Sequence, residues 1–242
     1  MERRRHYIYP DKATLVAAFI CEVERFLEEA TKSERPYHVA LSGGSTPLAI
    51  FNQLREVTSP GDWSNVHLYW GDERCVGPDH AESNFGNASR HLFEPMGLPG
   101  RQIHRIMGEE PPEDEAIRYG EHLMDQLPLK NGMPVFDWIW LGLGNDGHTA
   151  SIFPDQIQLM NASAPCAVAI HPVTGQKRIT VTGNLINAAR RVSFIVTGES
   201  KSAIVNQIVM KEGRYLEYPA FYVAPVSDNL EWFFDQEATS WL

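Results

Sequence analysis

The chain has 242 residues, with 21 Lys+Arg against 31 Asp+Glu and so a formal charge of −10 at neutral pH. Hydrophobic residues at 43% and charged residues at 21% describe a folded chain with a sizeable core, which excludes a disordered tail, a collagen-like rod and a small scaffold that needs metal or disulfide staples. The acidic balance repels polyphosphate backbones at long range, so nucleic acid is a poor partner, and no apolar run is long enough to cross a bilayer.

Arg3, Arg4 and Arg5 before the apolar stretch Ala13 to Cys21 imitate a leader, but Asp11 and Lys12 interrupt it and no small-residue cleavage site follows. The better reading is an amphipathic helix capped by Asp11, with Leu15, Phe19, Val23, Phe26, Leu27 and Ala30 on one stripe. Cys21, Cys75 and Cys166 are odd in number, far apart and without a Cys-x-x-Cys pair, which suits reduced thiols in a cytoplasm.

Residues 37–41 predict a strand running into Ser42-Gly43-Gly44-Ser45-Thr46-Pro47, after which Leu48, Phe51 and Leu54 continue at helical spacing. A second strand, 66–70, ends in Gly71-Asp72-Glu73-Arg74, and short or amphipathic helices are predicted over 84–93 and 112–127. Residues 136–141 are apolar at nearly every position, as in a parallel strand buried on both faces, and lead into Gly142-Leu143-Gly144-Asn145-Asp146-Gly147-His148. Further strands are expected at 167–170, 179–182, 192–197 and 230–234, with helices at 184–189 and 200–210 and a short helix at the end. Strands alternating with helices define an α/β fold with a mainly parallel sheet, and no linker or repeat divides residues 1–242 into more than one domain.

Ligands of open α/β sheets sit beyond the carboxyl ends of the strands, where three polar clusters lie here. In Ser42 to Thr46, two glycines let the backbone approach an anion, and Pro47 is placed as the first residue of a helix whose free N–H groups favour phosphate. The plainer alternative is a tight turn in which Ser45 or Thr46 caps the helix. Gly142 to Gly147 matches G-x-G-x-x-G, but the following segment is too short and lacks the acidic residue of a dinucleotide site. The same loop sets Asp146 two residues before His148, the arrangement of an acid that orients an imidazole base; a solvated loop histidine is the alternative. Arg74 after its strand can clamp a phosphate or neutralise an oxyanion, or simply pair with its acidic neighbours Asp72 and Glu73, and Lys201 supplies another point charge. No G-x-S-x-G elbow and no zinc-ligand spacing occurs, so a hydrolase here would activate water directly, with no metal and no cofactor.

The blocks 41–47, 70–76 with Ser83-Asn84, 142–154, 178–182 and 198–201, in this order and down to the ending 230–235, resemble the 6-phosphogluconolactonases. The resemblance implies a Rossmann-like three-layer sandwich shared with sugar-phosphate isomerases and deaminases, and the second step of the oxidative pentose phosphate pathway, opening 6-phospho-D-glucono-1,5-lactone without a metal. It implies His148 as the base, oriented by Asp146, and a substrate site made of Ser42, Gly43, Gly44, Ser45, Thr46, Asp72, Arg74, Arg178 and Lys201. It does not choose between phosphate and oxyanion for Arg74, or between a monomer and a homodimer. The related deaminases carry a glutamate five residues after the histidine, where this chain has Phe153, and a tyrosine where it has Arg74; Asn145 departs from the lactonase pattern, which has a smaller or cyclic residue. The expected picture is a small basic pocket in an otherwise acidic surface, at the carboxyl edge of the sheet.

Overall fold

A computed structural model describes residues 4–242; Met1, Glu2 and Arg3, the first arginine of the basic cluster, lie outside the described residues. Arg4 and Arg5 begin a strand that the sequence pattern does not announce, β1 (Arg4–Tyr9). Asp11 caps α1 (Lys12–Thr31) through a 2.7 Å bond from the Thr14 N–H, and the expected stripe of α1 is buried. There follow β2 (Tyr37–Leu41), α2 (Ser45–Val57), β3 (Val66–Trp70) and β4 (Asp72–Arg74). The helix expected over 84–93 is α3 (Asn84–Ala88) continued by a wider turn, Ser89–Phe93, and by α4 (Glu94–Met96).

Next come α5 (Pro112–Gln126), the short pair β5 (Leu129–Lys130) and β6 (Met133–Pro134), and β7 (Trp138–Leu141). Asn131 and Gly132 join β5 to β6 at positive φ, 53° and 77°, as a two-residue hairpin requires. The chain ends with β8 (Cys166–Ile170), β9 (Lys177–Val181), α6 (Gly183–Ala188), β10 (Val192–Val196), α7 (Ser202–Met210) and β11 (Leu230–Asp235). The expected C-terminal helix is a single tight turn, Glu237–Thr239.

Six strands form one sheet in the order β1-β11-β10-β7-β2-β3, every pair parallel. The all-apolar β7 is buried at each of its residues, and Phe19 of α1 packs on one face of the sheet against Trp138, Trp140 and Phe233 with centroids 5.1–5.3 Å away. On the other face His122 of α5 lies against Tyr69, and the Tyr119 hydroxyl of the same helix accepts from the Trp70 N–H at 3.0 Å. β1 escapes a sequence reading because it is an edge strand: it borrows one partner, β11, and carries charge, with Arg5 paired to Glu231 at 3.1 Å.

β8 and β9 do not join this sheet. They form an antiparallel sheet with β4, in the order β4-β9-β8. β2 and β7 are neighbours, but the chain leaves β2 toward β3 on one side and leaves β7 toward β10 on the other. That reversal opens a crevice beyond their carboxyl ends, and the small sheet stands over it.

Candidate active site

A cavity of about 540 Å³ occupies this crevice, a size that accommodates a small phosphorylated sugar. Its lining draws on the loop after β2, on β4 and β9, on the loop after β7 and on the turn before α7. Eight of the expected site residues line it: Ser42, Gly43, Asp72, Arg74, Asp146, His148, Arg178 and Lys201.

The remaining three, Gly44, Ser45 and Thr46, are not in the lining. α2 begins at Ser45 with Gly44 as its cap at φ 106°, so Pro47 is the third helical residue and no side chain caps the helix. Thr46 is buried with its hydroxyl 2.9 Å from that of Thr197, and Ser45 is exposed, its carbonyl accepting from Lys12 at 3.2 Å. What these residues can offer an anion is backbone: among the described residues the N–H groups of Gly43, Gly44, Ser45 and Thr46 have no protein acceptor. Gly43 has a second reason to be glycine, because a Cβ there would lie 1.8 Å from Asn84 Oδ1.

His148 stands in the loop after β7 with its Nδ1 donating to Asp146 Oδ1 at 2.6 Å, while its backbone N–H donates to the same oxygen at 3.1 Å. Burial alone would raise the Asp146 carboxyl, but these bonds and the imidazole beside it hold it down at about 2, so it is an acceptor at neutral pH. An Nδ1 that donates leaves Nε2 of the neutral ring unprotonated, the form of a general base. The ring leans on Phe153, which is fully buried, at 4.8 Å. Gly144 leaves the room for this geometry: a Cβ there would lie 2.1 Å from His148 Nδ1.

Arg74 does not pair with its acidic neighbours. The Glu73 carboxylate, buried among the N–H groups of Arg74, Asn84 and Phe85 at 2.8 Å each and the Ser83 hydroxyl at 3.1 Å, holds the start of α3 instead. Burial raises its pKa against these donors. Asp72 takes the Ser151 hydroxyl at 2.6 Å, tying β4 to the His148 loop. Arg74 therefore forms no ion pair among the described residues; its Nη1 donates to the Glu82 carbonyl at 2.6 Å and its Nε is buried without a partner. Arg178 is its register partner across β4 and β9 and sits over the Phe153 ring at 5.6 Å. Burial lowers the pKa of both Arg178 and Lys201, with Asp72 opposing it at the first and Asp146 at the second. Three cations face two carboxylates that are already bonded, an arrangement whose charge complements an anion.

Residues 10–232 match the family model described as glucosamine-6-phosphate isomerases/6-phosphogluconolactonase. The chain belongs to this family. A 6-phosphogluconolactonase of Haemophilus influenzae is 42% identical over 205 residues, which are 84% of this chain and 86% of that one. Among solved structures, the devB protein superposes with a TM-score of 0.90 at 40% identity, covering 98% of this chain and 99% of its own. The 6-phosphogluconolactonase of Trypanosoma brucei superposes with a TM-score of 0.87 at 26% identity, covering 99% of both chains. The family's fold is thus the fold of this chain.

Three polar lining residues are absent from the expected set, Asn84, Asn145 and His171. Asn84 belongs to one of the blocks that carry the resemblance, and its Nδ2 donates to the Asp72 carbonyl at 2.9 Å. His171 had no local signal, since it opens an ordinary turn between two exposed strand ends.

Proposed function

We propose that the chain hydrolyses 6-phospho-D-glucono-1,5-lactone to 6-phospho-D-gluconate, the second step of the oxidative pentose phosphate pathway, with His148 as the base that activates water. The observation that carries this is the Asp146–His148 pair facing a cavity whose free charges are cations. Arg74, Arg178, Lys201 and the unpaired amides of the glycine loop anchor the phosphate, which places the lactone carbonyl near His148. Water attacks C1 as Nε2 of His148 takes its proton, and the ring carbonyl becomes a tetrahedral oxyanion held by a neighbouring cation or amide. Collapse breaks the bond from C1 to the ring oxygen, His148 returns the proton to that oxygen, and the acid formed at C1 ionises. Because orientation comes from the distant phosphate, an unphosphorylated lactone is expected to be a poor substrate.

Phe153 supports this reading over aminosugar deamination. It fills, fully buried against the base, the position where the resemblance puts a deaminase glutamate, so no second carboxylate is available there to shuttle protons. The unpaired thiols of Cys21, Cys75 and Cys166 support a cytoplasmic setting, and no helix among the described residues is long and apolar enough to cross a membrane. The single hydrophobic core that links both sheets supports one working domain. Loss of the lactone in a coupled dehydrogenase assay tests the reaction: acceleration over spontaneous opening is expected, and none would overturn it. Ammonia released from glucosamine 6-phosphate would point to the deaminase, and binding without turnover of either compound to a sugar-phosphate sensor.

A further inference from the structure

His171 lines the cavity and has no part in the chemistry above. It begins the turn from β8 to β9, which closes on itself through bonds from the His171 N–H to the Gln176 carbonyl and from the Gly175 N–H to the His171 carbonyl, both 2.9 Å. Inside that turn the N–H groups of Val173 and Thr174 both donate to the ring Nδ1, at 3.2 and 3.3 Å. A nitrogen that receives two N–H donors carries no proton, so the ring proton is on Nε2, and the one polar atom left to the ring is a donor. Among the described residues Nε2 has no acceptor.

The ring is also held in place. Its edge meets the buried Phe153 at 5.2 Å, and the same phenyl ring carries His148 on one side and the Arg178 guanidinium on another. His171 thus shares the small-sheet rim of the cavity with Arg178 and with Arg74, whose Nε is likewise an unpaired donor. All three side chains offer hydrogens and none offers a lone pair. The complement of such a rim is an oxyanion with several acceptor oxygens.

We propose that His171 is a substrate-binding residue that donates its Nε2–H to a phosphate oxygen, completing with Arg74 and Arg178 an all-donor rim. The proposal rests on placing the phosphate of the lactone in this cavity. The two histidines of the site then hold opposite tautomers by construction: the carboxylate on Nδ1 of His148 leaves a base at Nε2, and the amides on Nδ1 of His171 leave a donor there. His171 cannot substitute for His148 as the base.

Imidazole nitrogen NMR of the full chain, titrated with inorganic phosphate, tests the proposal without turnover. The expected result is His171 as the Nε2–H tautomer with that resonance moving on phosphate addition; an Nδ1–H tautomer, or no response while phosphate binds, would overturn it. In kinetics, His171→Ala should raise both KM for the lactone and the inhibition constant of inorganic phosphate about three- to tenfold, with kcat changed less than about twofold. His171→Gln, which keeps a donor, should recover part of that loss. Unchanged KM and phosphate inhibition in His171→Ala would overturn the proposal. Absence of lactone hydrolysis in the wild type would instead remove the assigned reaction, while the phosphate titration would still report on His171.

Discussion

Two groups of histidines in this molecule have opposite surroundings. On the flank of the sheet where β2 and β3 meet α5, His104 lies between His67 and His122, with ring nitrogens 2.8 Å from each. Tyr69 stacks on His104 at 4.3 Å with its plane only 6° away, and the Tyr69 hydroxyl lies 3.2 Å from His38. These rings face one another and a phenol more than they face carboxylates. Burial pushes His104 down to about 3 and His38 to about 4, and lowers His67 and His122 as well. Asp137 on His38 and Asp125 and Glu115 on His122 oppose the shift, but Arg35, Arg101 and Arg118 reinforce it. At the carboxyl end of the sheet the partner of His148 is an ionised carboxylate. What Nδ1 touches decides whether an imidazole is a scaffold, a base or a donor.

The sharpest way to break this contrast is His148→Ala, for which kcat should fall about 10³-fold with phosphate binding retained; a single-turnover assay beside a phosphate titration checks both halves. Asp146→Asn should cost about 10²-fold or more in kcat, because an amide no longer fixes the ring tautomer. The low pKa of Asp146 sets the sign of the pH effect. Its carboxylate contributes fully above the ordinary aspartate value and is lost only as pH falls through about 2, so the Nδ1–H contact of His148 should persist in imidazole spectra down to pH 4.

On the flank the expected effects are on stability. His104→Ala removes two ring contacts and the stack on Tyr69, and should cost about 1–3 kcal/mol in urea unfolding with kcat unchanged. The smallest effect is on acid sensitivity. Histidines with lowered pKa values are held neutral in the fold, so below the ordinary value near 6.5 the unfolded chain takes up protons that the folded chain refuses until about pH 4 at His38 and about pH 3 at His104. The thermal midpoint should therefore fall from pH 6.5 toward pH 4, and His104→Gln should flatten that slope.

Much of the fold was legible because its signals are local. Asp11 and the stripe behind it mark α1, and the apolar runs of β2, β3, β7, β10 and β11 mark buried parallel strands. β1 was missed because an edge strand needs no apolar run, and β4 because three residues ending in Arg74 look like a loop until Arg178 lies opposite. At the site, Asp146 and His148 were legible as neighbours two residues apart. Thr46 was read as a cavity residue, but its hydroxyl is spent on Thr197, far away in sequence.

The alternation of strands and helices, each block that carries the family resemblance, and the acid beside the imidazole are local features, readable from short stretches of chain. Packing between distant segments sets β2 beside β7 at the switch in strand order, leaves the Arg74 guanidinium without an ion pair to Glu73 although its backbone N–H bonds that carboxylate, and brings His171 to the same cavity. The physical reason is distance along the chain. Parallel pairing joins Val39 to Trp138, and the small sheet joins Arg74 to Arg178, so the charge of the cavity is set by contacts that no local pattern encodes.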